Sequence, residues 1–218
     1  MTTLKGLDTV TTLTPYVAAL KQQGFNFAMR YYSHSGWKNL SLTEAQALSN
    51  SGIQIGVVWE SAGTQAVFFT QSQGKADAQA AYKMATAIGQ PMGSAIYFAV
   101  DYDATNTDLA GGISDYFSAV QSTLLSLGSG TLPYQVGVYG SGLVASFLLQ
   151  HGLVSLTWLS QSTGFSGSLA FAKDKLYNLI QTLPTTITAN GTVISIDPDA
   201  SNASLPTGLF TLPTTGNA

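Results

Sequence analysis

Short apolar runs rich in β-branched residues recur along the chain, and each is bounded by turn residues. They alternate with helix-like segments: one helix is predicted after Thr14 and Pro15, another from Ser41 to Asn50, and an Ala-rich one from Lys75 to Ile88. Short continuous apolar runs are typical of strands in parallel sheets that are covered on both faces. The alternation therefore predicts a parallel sheet with helical crossovers.

The sequence predicts about eight strands. They cover residues 5–8, 25–32, 53–60, 95–103, 135–140, 154–161, 176–181 and 192–199. Eight parallel strands with crossovers imply an α/β fold, a small (β/α)₈ TIM-like barrel whose site lies at the C-terminal ends of the strands. Residues 164–175 and 182–191 are predicted as loops, so the helices are reduced in the C-terminal third. A doubly wound open sheet is the alternative, but no G-x-G-x-x-G motif follows the first strand.

The length and composition fit a single globular domain. The chain has 218 residues and 45% hydrophobic content, enough for a sizeable core. We assign residues 1–203 to the barrel domain. Residues 204–218 form a Pro/Thr/Gly-rich tail with the composition of a linker. We expect a monomer.

Charge and cysteine content exclude several classes of function. The net charge is −3 and the chain has no Lys/Arg cluster, so we expect no nucleic-acid partner. The absence of cysteine excludes disulfides, thiolate metal sites and a cysteine nucleophile. We expect neither a membrane span nor a signal peptide in this chain, because no apolar stretch approaches ~20 residues and the N-terminus leads directly into a strand. Low charge and many Ser and Thr residues are compatible with an extracellular or cell-wall-associated location.

Carboxylates are scarce, and several of them follow predicted strands. The candidates for catalysis are Asp8, Glu60, Asp101, Asp103 and Asp197. Asp101 and Asp103 flank one residue, so in a strand their side chains would point to the same side. Two carboxylates held this close cannot both ionise freely, so we expect one to have a raised pKa and to act as a general acid. The alternative is that Asp103 only caps the helix that follows.

The remaining charged candidates are placed by the predicted barrel. Asp8 ends strand one and Asp197 ends strand eight, so barrel closure would bring them together. Asp199 is predicted to be a turn residue. Glu60 could reach the acids of strand four or a substrate hydroxyl. Arg30, the only arginine, is expected to neutralise the strand-end acids or contact substrate, with a purely structural ion pair as the alternative.

Aromatic side chains lie in or near the same strand-end layer, and flat rings with a polar edge suit stacking on sugars. The candidates for substrate binding are Tyr31, Trp37, Trp59, Tyr139 and Trp158. We expect no cofactor. Two histidines give no His-rich metal site, which leaves a carboxylate-rich Mg²⁺ or Ca²⁺ site as the alternative. A serine nucleophile is not favoured because the G-x-S-x-G motif is missing.

The ordered set of strand-end motifs resembles a known family. The motifs are GLDT, RYYS, VVWE, IYFAVDYD, GVYGSG, TWLSQS, LIQ and SIDPDAS, over about residues 4–200. They resemble the glycoside-hydrolase-like domain family 1906 (DUF1906), which is similar to the family 25 glycoside hydrolases, bacterial and phage muramidases with a (β/α)₈-like barrel. The resemblance implies that Asp8, Asp101 and Asp197 match carboxylates of the muramidase site. It also implies that Tyr139 and Trp158 match aromatic positions in its groove.

The chain departs from the muramidases at the end of strand four. They carry D-x-E there, with the Glu as proton donor, whereas this chain has Asp101 and Asp103. Aspartate is one methylene shorter, and Glu60 is the possible substitute. The hypothesis is a domain that hydrolyses bacterial cell-wall glycan, with Asp103 or Glu60 as the acid and Asp101 and Asp8 as base or stabilisers. Gln181, in the LIQ motif, is expected to contact substrate.

Two alternatives to the hydrolase remain open. The first is a catalytically inactive module that binds cell-wall glycan. The second is a phosphodiester or phospholipid hydrolase, which would require a metal or a pair of histidines.

Overall fold

The computed structural model describes residues 2–213, and eight of its strands close into a barrel. The strands are β1 (Lys5–Asp8), β2 (Phe27–Tyr32), β3 (Gln54–Trp59), β4 (Ala95–Ala99), β5 (Gln135–Gly140), β6 (Leu156–Leu159), β7 (Leu179–Gln181), β8 (Thr185–Ala189) and β9 (Thr192–Ser201). The helices are α1 (Val17–Gln22), α2 (Leu42–Asn50), α3 (Gln71–Ile88), α4 (Asn106–Asp108), α5 (Ser114–Leu127), α6 (Gly142–Gln150) and α7 (Ser168–Lys173). The predicted TIM-like fold class is confirmed.

The last barrel strand differs from the prediction in its direction. Strands β1 to β7 pair in parallel and in chain order, but β9 runs antiparallel to both β7 and β1 and closes the ring. Asn190 and Gly191 are the cause: both have positive φ, and they join β8 to β9 in a hairpin. A two-residue turn reverses the chain, whereas a parallel neighbour requires a crossover. The open-sheet alternative is wrong because β1 and β9 are paired.

Local sequence signals place the helices. Ser41 accepts the backbone N–H of Glu44 at the start of α2, and Thr70 accepts that of Gln73 at the start of α3. Gly89 ends α3 in the left-handed conformation, which glycine adopts without steric cost. The segments 164–175 and 182–191, predicted as loops, contain α7 and β8.

Large side chains fill the barrel interior, and glycines on neighbouring strands make room for them. A Cβ atom on Gly6 would lie 2.2 Å from Cζ of Phe27, and one on Gly137 would lie 2.5 Å from Cδ1 of Tyr97. The interior is therefore a packed core, as in other TIM barrels.

The chain after β9 crosses the N-terminal face of the barrel. The N–H of Ala95 donates to the carbonyl of Gly208, and Ile55 and Phe210 exchange backbone hydrogen bonds. Phe210 and Leu212 are buried. Residues 204–213 of the predicted tail thus pack against the barrel, and residues 214–218 lie outside the described residues. Among residues 2–213, no helix is long and apolar enough to cross a membrane.

Candidate active site

A hydrogen-bonded polar layer covers the packed core at the C-terminal mouth. Asp8 is buried; its Oδ1 accepts the Tyr31 hydroxyl at 2.7 Å, and its Oδ2 accepts Nε2 of Gln181 at 2.6 Å. The Tyr139 hydroxyl donates to Oε1 of Gln181 at 2.8 Å. Asp197 lies opposite Asp8 in the register of β1 and β9, as predicted from barrel closure. We call Asp8, Tyr31, Tyr139 and Gln181 the Asp8 network.

Burial is the largest influence on the Asp8 carboxyl and raises its pKa to about 7. The hydrogen bonds from Gln181 and Tyr31 oppose this shift, while the negative charges of Asp197 and Glu60 add to it. Partial burial also raises the pKa of Asp197. Asp8 is therefore a carboxyl that can retain its proton close to neutral pH, and the pKa of Asp197 is shifted in the same direction.

Asp101 is an exposed carboxyl at the mouth. It lies just past β4, and its backbone N–H donates to the carbonyl of Gly63. Partial burial, and then the charge of Glu60, raise the pKa of Asp101. No group within residues 2–213 donates a hydrogen bond to its carboxylate, which leaves that carboxylate open to a ligand.

Glu60 is held by a lysine that the sequence analysis did not identify as a site residue. Lys38 Nζ lies 2.7 Å from Oε1 of Glu60 and 4.6 Å from the ring centroid of Tyr31. The side chain of Glu60 remains about one-third exposed. Lys38 therefore connects the acid at the end of β3 to the Asp8 network.

A small cavity opens beside this layer. Its volume is about 140 Å³, and it is lined by Asp8, Tyr31 and Asp197 together with residues 9–11 and 195–196. Across the part of the chain that the structure describes, no group of three or more His, Asp or Glu side chains is arranged to hold a metal ion. The Mg²⁺ or Ca²⁺ alternative thus finds no ligand set there.

Asp103 has a role that neither prediction anticipated. Its Oδ1 accepts the backbone N–H of Ser166 at 2.7 Å, which attaches it to the loop after β6. Thr105 and Asp108 cap the following helix by themselves, so the capping alternative is wrong. Because β4 ends at Ala99, the strand alternation that would have paired Asp103 with Asp101 does not extend to these residues.

Arg30 points away from the barrel interior, towards α2. It forms a buried ion pair across the sheet–helix interface, with Nε 2.9 Å from Oε1 of Glu44 on α2, and also donates to the carbonyl of Thr9. Its neighbours Met29 and Tyr31 face the barrel interior instead. The structure therefore supports a structural ion pair between Arg30 and Glu44. It does not support the expected contact of Arg30 with substrate.

Two of the three tryptophans cannot offer a ring face to a ligand. Trp59 is buried outside the barrel interior, with its ring edge-on to His34. Trp158 faces inward but is also buried, and its Nε1 donates to Oδ1 of Asp199 at 2.9 Å. Both residues were predicted to stack on a sugar ring, and their burial corrects that prediction. Trp37, at 69% exposure beside Lys38, remains available at the rim.

Asp199 is the acid whose placement the sequence analysis missed. It is buried within β9, where a turn residue had been expected. Burial and the charge of Asp8 raise its pKa well above the usual range, and the hydrogen bond from Trp158 opposes that shift. The available signal was its spacing of two from Asp197, which puts both on one face of a strand.

The barrel belongs to a class of glycoside hydrolase-like domains. Residues 18–200 match the family model described as "Rv2525c-like, glycoside hydrolase-like domain", so the chain belongs to that family. It is 30% identical over 198 residues to FadG of Bacillus subtilis (strain 168), which is 88% of this chain and 34% of FadG. YbfG of the same strain is 30% identical over 208 residues, 90% of this chain and 28% of YbfG. The chain thus spans about a third of the length of these curated relatives.

Solved structures share the barrel at lower identity. The Tat-secreted protein Rv2525c of Mycobacterium tuberculosis, in complex with L-tartrate, has a TM-score of 0.75 at 21% identity, covering 95% of this chain and 98% of that one. The catalytic domain of endolysin ply40, from bacteriophage P40 of Listeria monocytogenes, has a TM-score of 0.55 at 18% identity and covers 93% and 95%. At these identities the likeness shows the fold, which is shared with cell-wall lytic enzymes.

Proposed function

We propose that the barrel mouth binds a bacterial cell-wall glycan and hydrolyses a glycosidic bond, with Asp101 as the proton donor. The observation that carries the proposal is the environment of Asp101: an accessible carboxyl whose pKa is raised by partial burial and by Glu60. A general acid needs a carboxyl that holds its proton near the working pH beside others that remain charged. Asp103 is a weaker candidate because its carboxylate is bound to a backbone N–H.

The other mouth residues fit supporting roles. Asp101 would transfer its proton to the glycosidic oxygen as the bond to the anomeric carbon breaks, and water would complete the hydrolysis. Negative groups stabilise the positive charge that develops on the sugar ring. Glu60, paired with Lys38, and Asp197 are the candidates for that role and for the base. The Asp8 network would fix the floor beneath the sugar.

The comparisons support the cell wall as the location of the substrate. The structural neighbours include an endolysin and an autolysin, and Rv2525c is described as Tat-secreted. The net charge of −3 does not suit a polyanionic partner. We therefore assign the domain an extracellular or cell-wall-associated location, with glycan as its partner.

A catalytically inactive glycan-binding module is the second candidate function. Its support is the position that the muramidase resemblance assigns to the donor Glu: Asp103 is shorter there and bonds Ser166. If Asp101 does not donate, the mouth would retain a binding surface without a competent acid.

Turnover of purified peptidoglycan, measured by turbidity or dye release, tests the proposal. Asp101→Asn should lower turnover at least about a hundredfold, the usual contribution of a positioned general acid, whereas Asp103→Asn should change it only severalfold. Asp115→Asn, an exposed site on α5, is the matched control and should behave as wild type. Full activity in Asp101→Asn would exclude it as the donor.

A pull-down on insoluble cell wall from the same preparations separates the two functions. Retention on the wall with turnover at background would favour the binding module. Neither turnover nor retention would reject both.

A further inference from the structure

A second cavity adjoins the Asp8 network on the β6–β7 side of the mouth. Its volume is about 180 Å³. Its apolar walls are formed by Leu159, Ile180 and Leu183, together with Ala172 on α7. Its polar lining includes Ser160 and Gln181. None of the residues that line it is Asp, Glu, Lys or Arg. The cavity is therefore suited to a neutral, largely apolar group, in contrast to the acidic mouth next to it.

Ser160 carries an unsatisfied hydroxyl in the wall of this cavity. The residue is 3% exposed, and within residues 2–213 no partner lies within hydrogen-bond reach of its Oγ. Its backbone N–H, in contrast, donates to the carbonyl of Gly140. A buried hydroxyl without a partner is destabilising, so a ligand carbonyl that accepted its proton would be favoured.

Gln181 connects the cavity to the mouth. Its side chain bonds Asp8 and Tyr139, and its Oε1 also accepts the backbone N–H of Gln161 at 3.3 Å. Gln161 is itself part of the cavity wall. A ligand that lies over the Asp8 network therefore has this cavity within reach of its substituents.

We propose that the cavity is a subsite for a short neutral acyl substituent of a cell-wall amino sugar, with a carbonyl oxygen that accepts the Ser160 hydroxyl. This inference rests on the proposed function, since it requires a glycan at the mouth. The cavity has about the volume of six water molecules in the liquid, which suits an acetamido group or a lactyl-alanyl stem whose carboxyl is amide-linked and therefore neutral. A charged substituent would find no counter-ion in its walls.

Filling the cavity tests this assignment. Ala172→Leu places a larger side chain into it, while Ala170→Leu makes the same change on the exposed side of α7 and is the matched control. Ser160→Ala removes the hydroxyl with little change of volume, so it decides the matter if Ala172→Leu does not fold. Thermal melts of all three variants establish which of them fold.

Three probes distinguish the sources of the acyl group, and the dissociation constant of each is measured. They are the N-acetylated glucosamine tetramer, its de-N-acetylated counterpart, and the cell-wall disaccharide carrying a neutral lactyl-L-alaninamide. We expect wild type and Ala170→Leu to bind an acylated probe at least about tenfold tighter than the de-N-acetylated one. Ala172→Leu should lose that preference, and Ser160→Ala should weaken it about fivefold, as expected for one hydrogen bond. Loss confined to the tetramer identifies the acetamido group, and loss confined to the disaccharide identifies the lactyl-alanyl stem.

Two results would overturn the inference, and they are distinguishable. If wild type binds the probes but Ala172→Leu and Ser160→Ala bind them equally well, the subsite is wrong and the proposed function stands. If wild type binds no glycan, the proposed function and the subsite are both rejected.

Discussion

Asp8 and Asp101 stand at the same mouth in opposite environments. Asp8 is 1% exposed and both of its oxygens accept hydrogen bonds, whereas Asp101 is exposed and its carboxylate accepts none from residues 2–213. Burial dominates the pKa shift of both, but the opposing hydrogen bonds act only on Asp8. The comparison teaches that a raised pKa does not by itself identify a catalytic acid. Access to the ligand separates the two.

The largest effect that this contrast predicts is a loss of stability with rising pH. The pKa of folded Asp8, about 7, lies above the 3.8 expected when it is unfolded, so the folded state binds more protons between these values. The free energy of unfolding should therefore fall from about pH 4 to pH 7 and then level off, by up to roughly 4 kcal/mol from this group. Urea titrations across that range should show the decline, and Asp8→Asn should flatten it.

Asp199 contributes in the same direction, because its pKa is also raised. Some slope should therefore persist in Asp8→Asn. A wild-type stability that rises from pH 4 to pH 7 would contradict the assignment.

Removing one member of the buried Asp8 network should have a smaller effect on the free energy of unfolding. Gln181→Ala leaves the Tyr139 hydroxyl and one Asp8 oxygen without partners, so it should cost about 2–3 kcal/mol of unfolding free energy. Asp101→Ala, its exposed counterpart, should stay within about 0.5 kcal/mol of wild type. If urea titrations at one pH showed that both variants lose the same free energy of unfolding, the environments of Asp8 and Asp101 would not differ as described.

The smallest expected effect is the loss of glycan affinity when Trp37, at the rim of the mouth, is replaced by alanine. Trp37 is 69% exposed beside Lys38, and losing one aromatic platform should weaken glycan binding by about 1 kcal/mol. Met92→Ala is the matched control, since Met92 is similarly exposed but precedes β4 at the opposite face. A binding titration with the N-acetylated tetramer in which both variants match wild type would remove Trp37 from the site.

Strands with clear boundaries could be predicted from the sequence, and the hairpin could not. β1 and β5 have the predicted bounds because turn residues enclose their apolar runs. β8 was missed because its threonines are largely exposed, so it carries little apolar signal. The Asn190–Gly191 pair was the local indication of a reversal, and it determines the direction of β9.

The candidate site was predicted only in part, because the sequence shows neither which strand residues face inward nor where a strand ends. Asp8 and Asp197 meet because their pairing depends only on closure of the barrel. Trp59 and Arg30 were misplaced because a continuous apolar strand does not reveal which residues face inward. Asp103 was misplaced because β4 ends earlier than its apolar run suggests.

The most direct test of the account is a carbon-13 NMR titration of the aspartate carboxyls in wild type and in Glu60→Gln. We expect Asp8 to titrate near pH 7 and Asp101 above its ordinary value of 3.8. Removing the charge of Glu60 should lower the pKa of Asp101, because that charge disfavours its ionised form. Ordinary values for both carboxyls, or an Asp101 pKa that Glu60→Gln does not change, would contradict the central claim that the mouth holds a proton on Asp101 for transfer to the glycan.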